Sequence, residues 1–402
     1  MARSIPALVN SSLLTWARED AGFSIEQAAE RADFSTEKLQ AWESGLFQPT
    51  LRQAEKLAKL YHRPYSVFCL SEPPKTKPLA SEYRRLPGVR PGAESPELRF
   101  AIRQMIYRRK VALGLISELA DKPDKFLLSA HLQEDTEHVA THIRSKLGIS
   151  IETQHAWPNE FRAWHGWRAA VEDIGVLVFQ FSKVNPKEVR GVSLLDFPLP
   201  VIGINSKEVP ASKPFSLLHE LVHIMLAHAD EEKPALLEKR NDQDWLKVER
   251  FAEAVAGAVL MPSAALLKEP EIANRTSGNY WNIPEVRKLA RRYKVTPKAM
   301  ITRLLWISKC TPAGYRKWID DWEDYLKAHP PKPGGGIATP AEKALNRNGR
   351  SFTQLVLNAL SLERITSVEA SHYLELNFPH IETLRRNVAM ARQFEPVMDG
   401  VD

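Results

Sequence analysis

The segment Phe215–Ala227 is apolar on nearly every side, yet it carries two histidines and a glutamate. Apolar residues at this density predict a helix that is buried, because a surface helix would show a polar face. Burying His219, Glu220 and His223 costs free energy unless these side chains are paired or bind a metal. The chain must therefore fold a core around this helix and also supply partners for its three polar side chains.

The three residues form the pattern H-E-x-x-H. Residues i and i+4 lie on one face of a helix, so the imidazoles of His219 and His223 can reach one tetrahedral ion. Zinc lowers the pKa of a water molecule that it binds toward neutrality, and a glutamate beside it can take the proton and deliver it to a leaving amine. The pattern predicts a zinc site with Glu220 as the catalytic base. The alternative, two histidines satisfied within the core, leaves the glutamate unexplained.

A catalytic zinc site normally has a third protein ligand and one open position. The downstream candidates are His228, Asp230, Glu231, Glu232 and Glu249. His228 lies about 140° round the helix from His223 and faces elsewhere. Glu249 lies in a second predicted helix, Trp245–Leu260, whose Ala/Gly-rich face suits close packing against the metal helix. The alternative is that Glu249 is an ordinary surface residue.

The carboxylate of Glu253 lies one turn beyond Glu249 on the same helix face. This position is suited to accept the second N–H of a ligand histidine and so to fix its tautomer. We therefore predict Glu253 as a residue of the second coordination shell.

These residues resemble the ImmA/IrrE-type metallopeptidases. The resemblance spans roughly residues 155–310 and consists of three features in order: an apolar strand that ends in Asn (Val201–Asn205), the H-E-x-x-H helix, and the helix Glu249–Pro262. The chain departs from the family pattern at three positions. Phe251 replaces an acid, Glu253 the usual Asn, and Val255 the usual Phe.

The resemblance implies a zincin-like peptidase unit with a small sheet, in which His219, His223 and Glu249 bind Zn2+. It also implies endopeptidase activity on a protein substrate, because relatives cleave helix-turn-helix repressors.

The segment Ser24–Gly45 resembles the helix-turn-helix of the XRE/Cro type, in which the second helix enters the major groove of DNA. In this chain that helix is Ser35–Glu43, and the resemblance implies that Thr36, Lys38 and Gln40 meet base edges. Residues 1–70 nevertheless contain eight Lys/Arg and eight Asp/Glu, whereas affinity for DNA rests largely on neutralising phosphates. A protein-docking role for this domain therefore remains the alternative.

The whole chain is predicted to be α+β and mostly helical. The predicted units are a five-helix helix-turn-helix domain (1–73), a helical connector that packs on the peptidase (74–150), the metallopeptidase unit (151–332) and a small helical tail domain (337–402). The Gly-rich segment Pro333–Gly336 would tether the tail. A tail on a short tether is expected to occlude the peptidase cleft and to keep the free protein weakly active or inactive until a partner displaces it.

The composition indicates the cellular compartment of the protein but not the reaction that it catalyses. The chain has only two cysteines among 402 residues, which excludes a disulfide framework and favours a reducing cytoplasm. No apolar run approaches the roughly 20 residues that a membrane span needs. The net charge is +6, and the basic excess lies in residues 84–110, where we expect a solvated helical face.

Two functions fit this organisation. In the first, the protein is a zinc-dependent endopeptidase and regulator that cleaves a repressor or partner protein, with a helix-turn-helix that binds promoter DNA. In the second, it is an antitoxin-like DNA-binding repressor that neutralises a partner toxin, and its peptidase fold is silent or conditional.

Overall fold

The computed structural model describes residues 6–75, 77–275, 280–330 and 338–393. The predicted tether Pro333–Gly336 lies outside these residues. No helix in the described ranges is both long enough and apolar enough to cross a membrane.

Helices dominate the described chain, in agreement with the predicted α+β, mostly helical class. The N-terminal part forms α1 (Ser11–Ala21), α2 (Ile25–Arg31), α3 (Thr36–Glu43), α4 (Leu51–Leu60) and a 3-10 helix (Tyr65–Cys69). The middle forms a 3-10 helix (Leu79–Ser81), α5 (Pro96–Glu118), α6 (Thr136–Leu147), α7 (Ile151–Ala156), α8 (Glu160–Asp173), β1 (Leu177–Phe181), β2 (Gly191–Leu194) and β3 (Val201–Asn205). Next come α9 (Lys213–His228), α10 (Asp242–Leu260), α11 (Ser263–Leu266), α12 (Pro270–Ala273), α13 (Ile283–Tyr293), α14 (Pro297–Trp306) and α15 (Pro312–Ala328). The tail forms α16 (Pro340–Asn348), α17 (Arg350–Ser361), α18 (Ser367–Leu374), a 3-10 helix (Phe378–His380) and α19 (Ile381–Gln393).

The N-terminal domain has a hydrophobic core of its own, to which Leu39 and Trp42 of α3 contribute. Its helices begin at side-chain caps, because a hydroxyl can satisfy the free N–H groups of a first turn. Ser24 caps α2 in a capping box with Gln27, and Ser35 caps α3. Four α-helices and one 3-10 helix make up the predicted five-helix domain.

The three strands form one mixed sheet in the order β1-β3-β2. β1 pairs with β3 in parallel, and β2 pairs with β3 antiparallel. Every residue of the three strands is buried, so the strands are predominantly apolar and show no alternation of apolar and polar residues. The outer edge of β2 is also occupied, because Tyr83 forms an isolated antiparallel bridge with Leu194.

The two faces of the sheet belong to different cores. One face, with Ile202 and Ile204, packs against α9 and the helices around it. The other face, with Phe179, packs against α5 and the tail, where the Phe179 and Phe352 ring centroids are 5.6 Å apart. The tail therefore shares its core with the connector. It lies against β1 and the second face of the sheet, so the prediction that the tail occludes the cleft is wrong.

The basic stretch 84–110 is not the solvated face that its charges suggested. Arg99 donates to the carbonyl oxygen of Asp20 at the end of α1 (3.1 Å), and Arg108 forms an ion pair with Glu375 in the tail (2.6 Å). These arginines join the connector to the domains on both sides of it. The prediction was wrong because a count of charges along the sequence does not show which groups the folded chain places opposite each arginine.

Candidate metal centre

The helix α9 places the two histidines of the motif side by side. It is buried along most of its length, and it packs against α10, β2 and β3. The Nε2 atoms of His219 and His223 lie 3.1 Å apart, as their spacing of one helical turn requires. The side chain of His223 is fully buried, and that of His219 is 12% exposed.

The helix α10 brings Glu249 to the same point. One carboxylate oxygen of Glu249 lies 3.4 Å from the Nε2 atom of His219, and the other lies 3.4 Å from the Nε2 atom of His223. A tetrahedral zinc ion with bonds of about 2.0–2.1 Å places its ligand atoms about 3.3 Å apart. The three side chains therefore fit a zinc ion, and each offers a ligand atom within 4.8 Å of the other two.

The partner that orients a histidine is not the one predicted. Nδ1 of His223 lies 2.7 Å from a carboxylate oxygen of Glu232, which is buried. Glu253 is exposed instead, so its predicted contact with a ligand histidine is wrong. Glu253 lies one helical turn beyond Glu249, but Glu249 is buried whereas the side chain of Glu253 lies on the exposed side of α10. Nδ1 of His219 has no hydrogen-bond partner among the residues that the structure describes.

The buried cluster holds more carboxyl groups than cationic groups, and a bound divalent cation would stabilise their ionised forms. Three carboxylates, those of Glu220, Glu232 and Glu249, face a single guanidinium, that of Arg84. Burial raises the pKa of Glu232 to about 8, with the other two carboxylates acting in the same direction and Arg84 against it. Burial alone would also raise the pKa of Glu249, but the attraction of Arg84 and His223 outweighs it and lowers that pKa.

Glu220 lies beside the histidines and against β2. Its carboxylate accepts a hydrogen bond from Oγ of Ser193 (2.9 Å). A Cβ atom at Gly191 would come within 2.8 Å of the Glu220 side chain, so only glycine lets the strand approach this closely. Burial would raise the pKa of Glu220, but the charge of Arg84 outweighs burial, and the pKa lies below its ordinary value.

Arg84 completes the cluster and was not predicted from the sequence. Its side chain is 2% exposed and donates to both carboxylate oxygens of Glu220, at 2.9 and 2.8 Å. A third donor reaches Glu249 at 2.9 Å. The sequence offered no signal for this role, because Arg84 precedes its partners by 136 and 165 residues and lies in a stretch with seven other basic side chains.

The three residues predicted to contact DNA lie far from the metal centre in the sequence, and all three belong to α3. Lys38 and Gln40 of α3 are exposed, and Thr36 in its first turn is half-buried. The ammonium group of Lys38 lies over the rings of Phe34 and Trp42, 5.7 and 5.3 Å from their centroids. The side of α3 that carries Lys38 and Gln40 therefore faces solvent, while Leu39 and Trp42 pack in the core of the domain.

A buried H-E-x-x-H helix and a glutamate from the next long helix are typical of a metallopeptidase fold, which this chain joins to a separate helix-turn-helix domain. Residues 171–305 match the family model of the IrrE N-terminal-like domain, a peptidase family, and residues 11–65 match that of a helix-turn-helix domain. The predicted resemblance to ImmA/IrrE-type peptidases with an N-terminal helix-turn-helix is thus confirmed. Searches of curated proteins and of solved structures found no match.

Proposed function

We propose that the protein is a zinc-dependent endopeptidase that cleaves a regulatory protein, either a helix-turn-helix repressor or a partner toxin. The observation that carries this proposal is the spacing of 3.1–3.4 Å among donor atoms of His219, His223 and Glu249. A zinc ion bound there would supply a Lewis acid for the scissile carbonyl and lower the pKa of the attacking water.

Side chains of the protein would carry out the other steps of the reaction. Glu220 takes the proton of the attacking water and passes it to the nitrogen of the leaving amine, so that the amide C–N bond breaks and two peptides result. Glu232 holds the ring of His223 in the tautomer that leaves Nε2 free to bind metal. Gly191 and Ser193 fix the position of the base from the side of β2.

Metal content and cleavage test the two parts of this proposal separately. The purified protein should carry about one zinc per chain. His219→Ala should lose the metal, and Glu249→Ala should bind it much more weakly. Glu220→Gln keeps the size of the side chain but removes the base, so zinc should stay while cleavage stops. Full zinc occupancy in His219→Ala would disprove the site, and unchanged proteolysis in Glu220→Gln would disprove the role of the base.

A second function, binding of promoter DNA, is supported by the exposed face of α3 with Lys38 and Gln40. Combined with the first function, it describes a regulator that binds its promoter and destroys a protein. The alternative is an antitoxin-like repressor whose peptidase is conditional. It draws support from Arg84, whose side chain engages the proposed base.

A further inference from the structure

Residues 80–86, which we call the strap, run along the outer edge of β2. The backbone N–H of Arg84 donates to the carbonyl oxygen of Ser193 (3.2 Å), and Tyr83 bridges Leu194 in the antiparallel sense. On its other side, the carbonyl oxygen of Tyr83 accepts from the N–H of Ala235 (2.7 Å). The strap is thus held as an extra strand between β2 and the loop that follows α9.

An extended peptide substrate needs this same edge. Proteins commonly bind extended peptides by adding them as a strand to a free sheet edge. In the order β1-β3-β2, the central strand β3 has no free edge, and β2 is the edge strand that contacts Glu220 through Gly191 and Ser193. A substrate that presents its backbone to the base would therefore lie where the strap lies.

The strap also engages the catalytic groups directly. Arg84 donates to both oxygens of Glu220, and its third contact is to the Glu249 oxygen that faces His223. A carboxylate whose two oxygens are held by a buried guanidinium is not free to accept a proton from water. The side chains of Glu220 and Glu249 are only 2% and 10% exposed, so a substrate carbonyl has no access to them.

The strap is connected to the helix-turn-helix domain through side chains. Tyr83 donates its hydroxyl hydrogen bond to Glu94, Glu94 pairs with Arg99 (3.2 Å), and Arg99 donates to the carbonyl oxygen of Asp20 at the end of α1. The strap is therefore the element through which a partner bound to the N-terminal domain can reach the site.

We propose that the strap is a built-in inhibitor that occupies the peptide-binding edge of β2 and blocks Glu220 with Arg84, so that cleavage starts only when the strap is displaced. This inference rests on the proposed peptidase function. It adds the place where the backbone of the substrate binds and the element that inhibits the enzyme.

Two variants of the full-length, zinc-loaded protein test it. Arg84→Met removes the guanidinium and keeps the length of the side chain. Arg85→Ala loosens the strap from outside the site, because Arg85 donates a hydrogen bond to Asp242 and lies over the ring of Trp245, 4.8 Å from its centroid. It therefore covers the case in which Arg84→Met fails to fold. The matched control is Arg90→Ala, since Arg90 is exposed and has no ion pair among the described residues.

Both variants should cleave unfolded casein about ten-fold faster than the wild type or more, since charged hydrogen bonds are lost in each. Arg90→Ala should match the wild type, and adding Glu220→Gln to Arg84→Met should abolish the gain. Wild-type protein that cleaves as fast as both variants would overturn the proposal. So would slower cleavage by Arg84→Met than by an active wild type, because Arg84 would then be a positioning residue.

A readout independent of catalysis separates this inference from the proposed function. Hydrogen–deuterium exchange of residues 80–86 should be faster in both variants, while that of β3 stays unchanged. A fluorescent peptide that copies residues 80–90 should bind to the protein carrying both Arg84→Met and Glu220→Gln, and not to the wild type. Faster exchange and peptide binding without cleavage by any variant would overturn the peptidase function, and unchanged exchange without peptide binding would overturn the strap.

Discussion

At the scale of residues, the site depends on long-range partners that surround a local motif. The motif fixes only the two histidines and Glu220, which one helix brings together by its own periodicity. Glu249, Glu232 and Arg84 come from three other segments, and each contributes a charge inside a core that excludes water. In such surroundings an unpaired charge is costly, so each member of the cluster depends on the others.

The role of Glu232 can be tested with Glu232→Gln. This change replaces the carboxyl group that contacts Nδ1 of His223 while keeping the shape of the side chain, so zinc affinity should fall about 10–100-fold without loss of the ligand set. Competition with a chromogenic chelator measures the affinity. Glu253→Gln is the matched control, because Glu253 is exposed and should leave the affinity unchanged. If instead Glu253→Gln weakens zinc binding and Glu232→Gln does not, the orienting carboxylate is the one that helical spacing suggested.

At the scale of elements, the function of α3 depends on whether its exposed side chains bind DNA or a protein. If α3 reads DNA, Lys38→Ala combined with Gln40→Ala should remove the preference for the protein's own promoter over random DNA. The salt dependence should also weaken, by about one unit of slope for one lost phosphate contact. Gel shifts over a series of salt concentrations measure both effects.

The matched control for this prediction is Lys59→Ala, which removes the same charge from α4. Lys59 is exposed, and its loss should leave promoter preference intact. Wild-type protein that shows no preference for the promoter at low salt would favour a protein partner for α3.

Elements with a strong local signal could be predicted from the sequence. The caps at Ser24 and Ser35 and the breaks between them define α2 and α3, and the apolar run around His219 defines α9. The sheet could be predicted only as separate strands. Its order depends on which strands meet, and no local pattern indicates that β3 lies in the centre.

The parts of the site that escaped prediction have a common physical cause. Arg84 and Glu232 have no periodic relation to the motif, because each comes from an irregular segment that the fold alone places beside α9. Glu249 could be predicted because it lies on a helix whose small residues indicate close packing. Glu253 was predicted to contact a ligand histidine because it lies one turn from Glu249 on the same helix. Whether a helical position is buried, however, depends on the elements packed against it as well as on its spacing along the helix.

At the scale of the whole molecule, the tail is part of the core. Phe352 of α17 is 1% exposed and packs against Phe179 of β1. Phe352→Ala should therefore lower the free energy of unfolding by about 3–5 kcal/mol, as expected for a large side chain removed from a core. Urea unfolding followed by circular dichroism measures this loss.

The control for this prediction is Phe378→Ala, since Phe378 is 62% exposed. Its effect should stay within about 0.5 kcal/mol. Removal of residues 338–402 should likewise destabilise the protein rather than activate it. A truncated protein that unfolds like the full chain and cleaves faster would instead restore the tail as an inhibitor.

The packing of the second face of the sheet has a consequence for how the protein folds during its synthesis on the ribosome. A chain leaving the ribosome folds its N-terminal parts first, so the helix-turn-helix domain can form and find its partner early. The second face of the sheet that carries Gly191 and Ser193 is covered by α5 and by the helices of the tail, so its covering is complete only when the tail has packed. In a nascent chain, the sheet beside the metal centre therefore stays partly uncovered until the helices of the tail have left the ribosome.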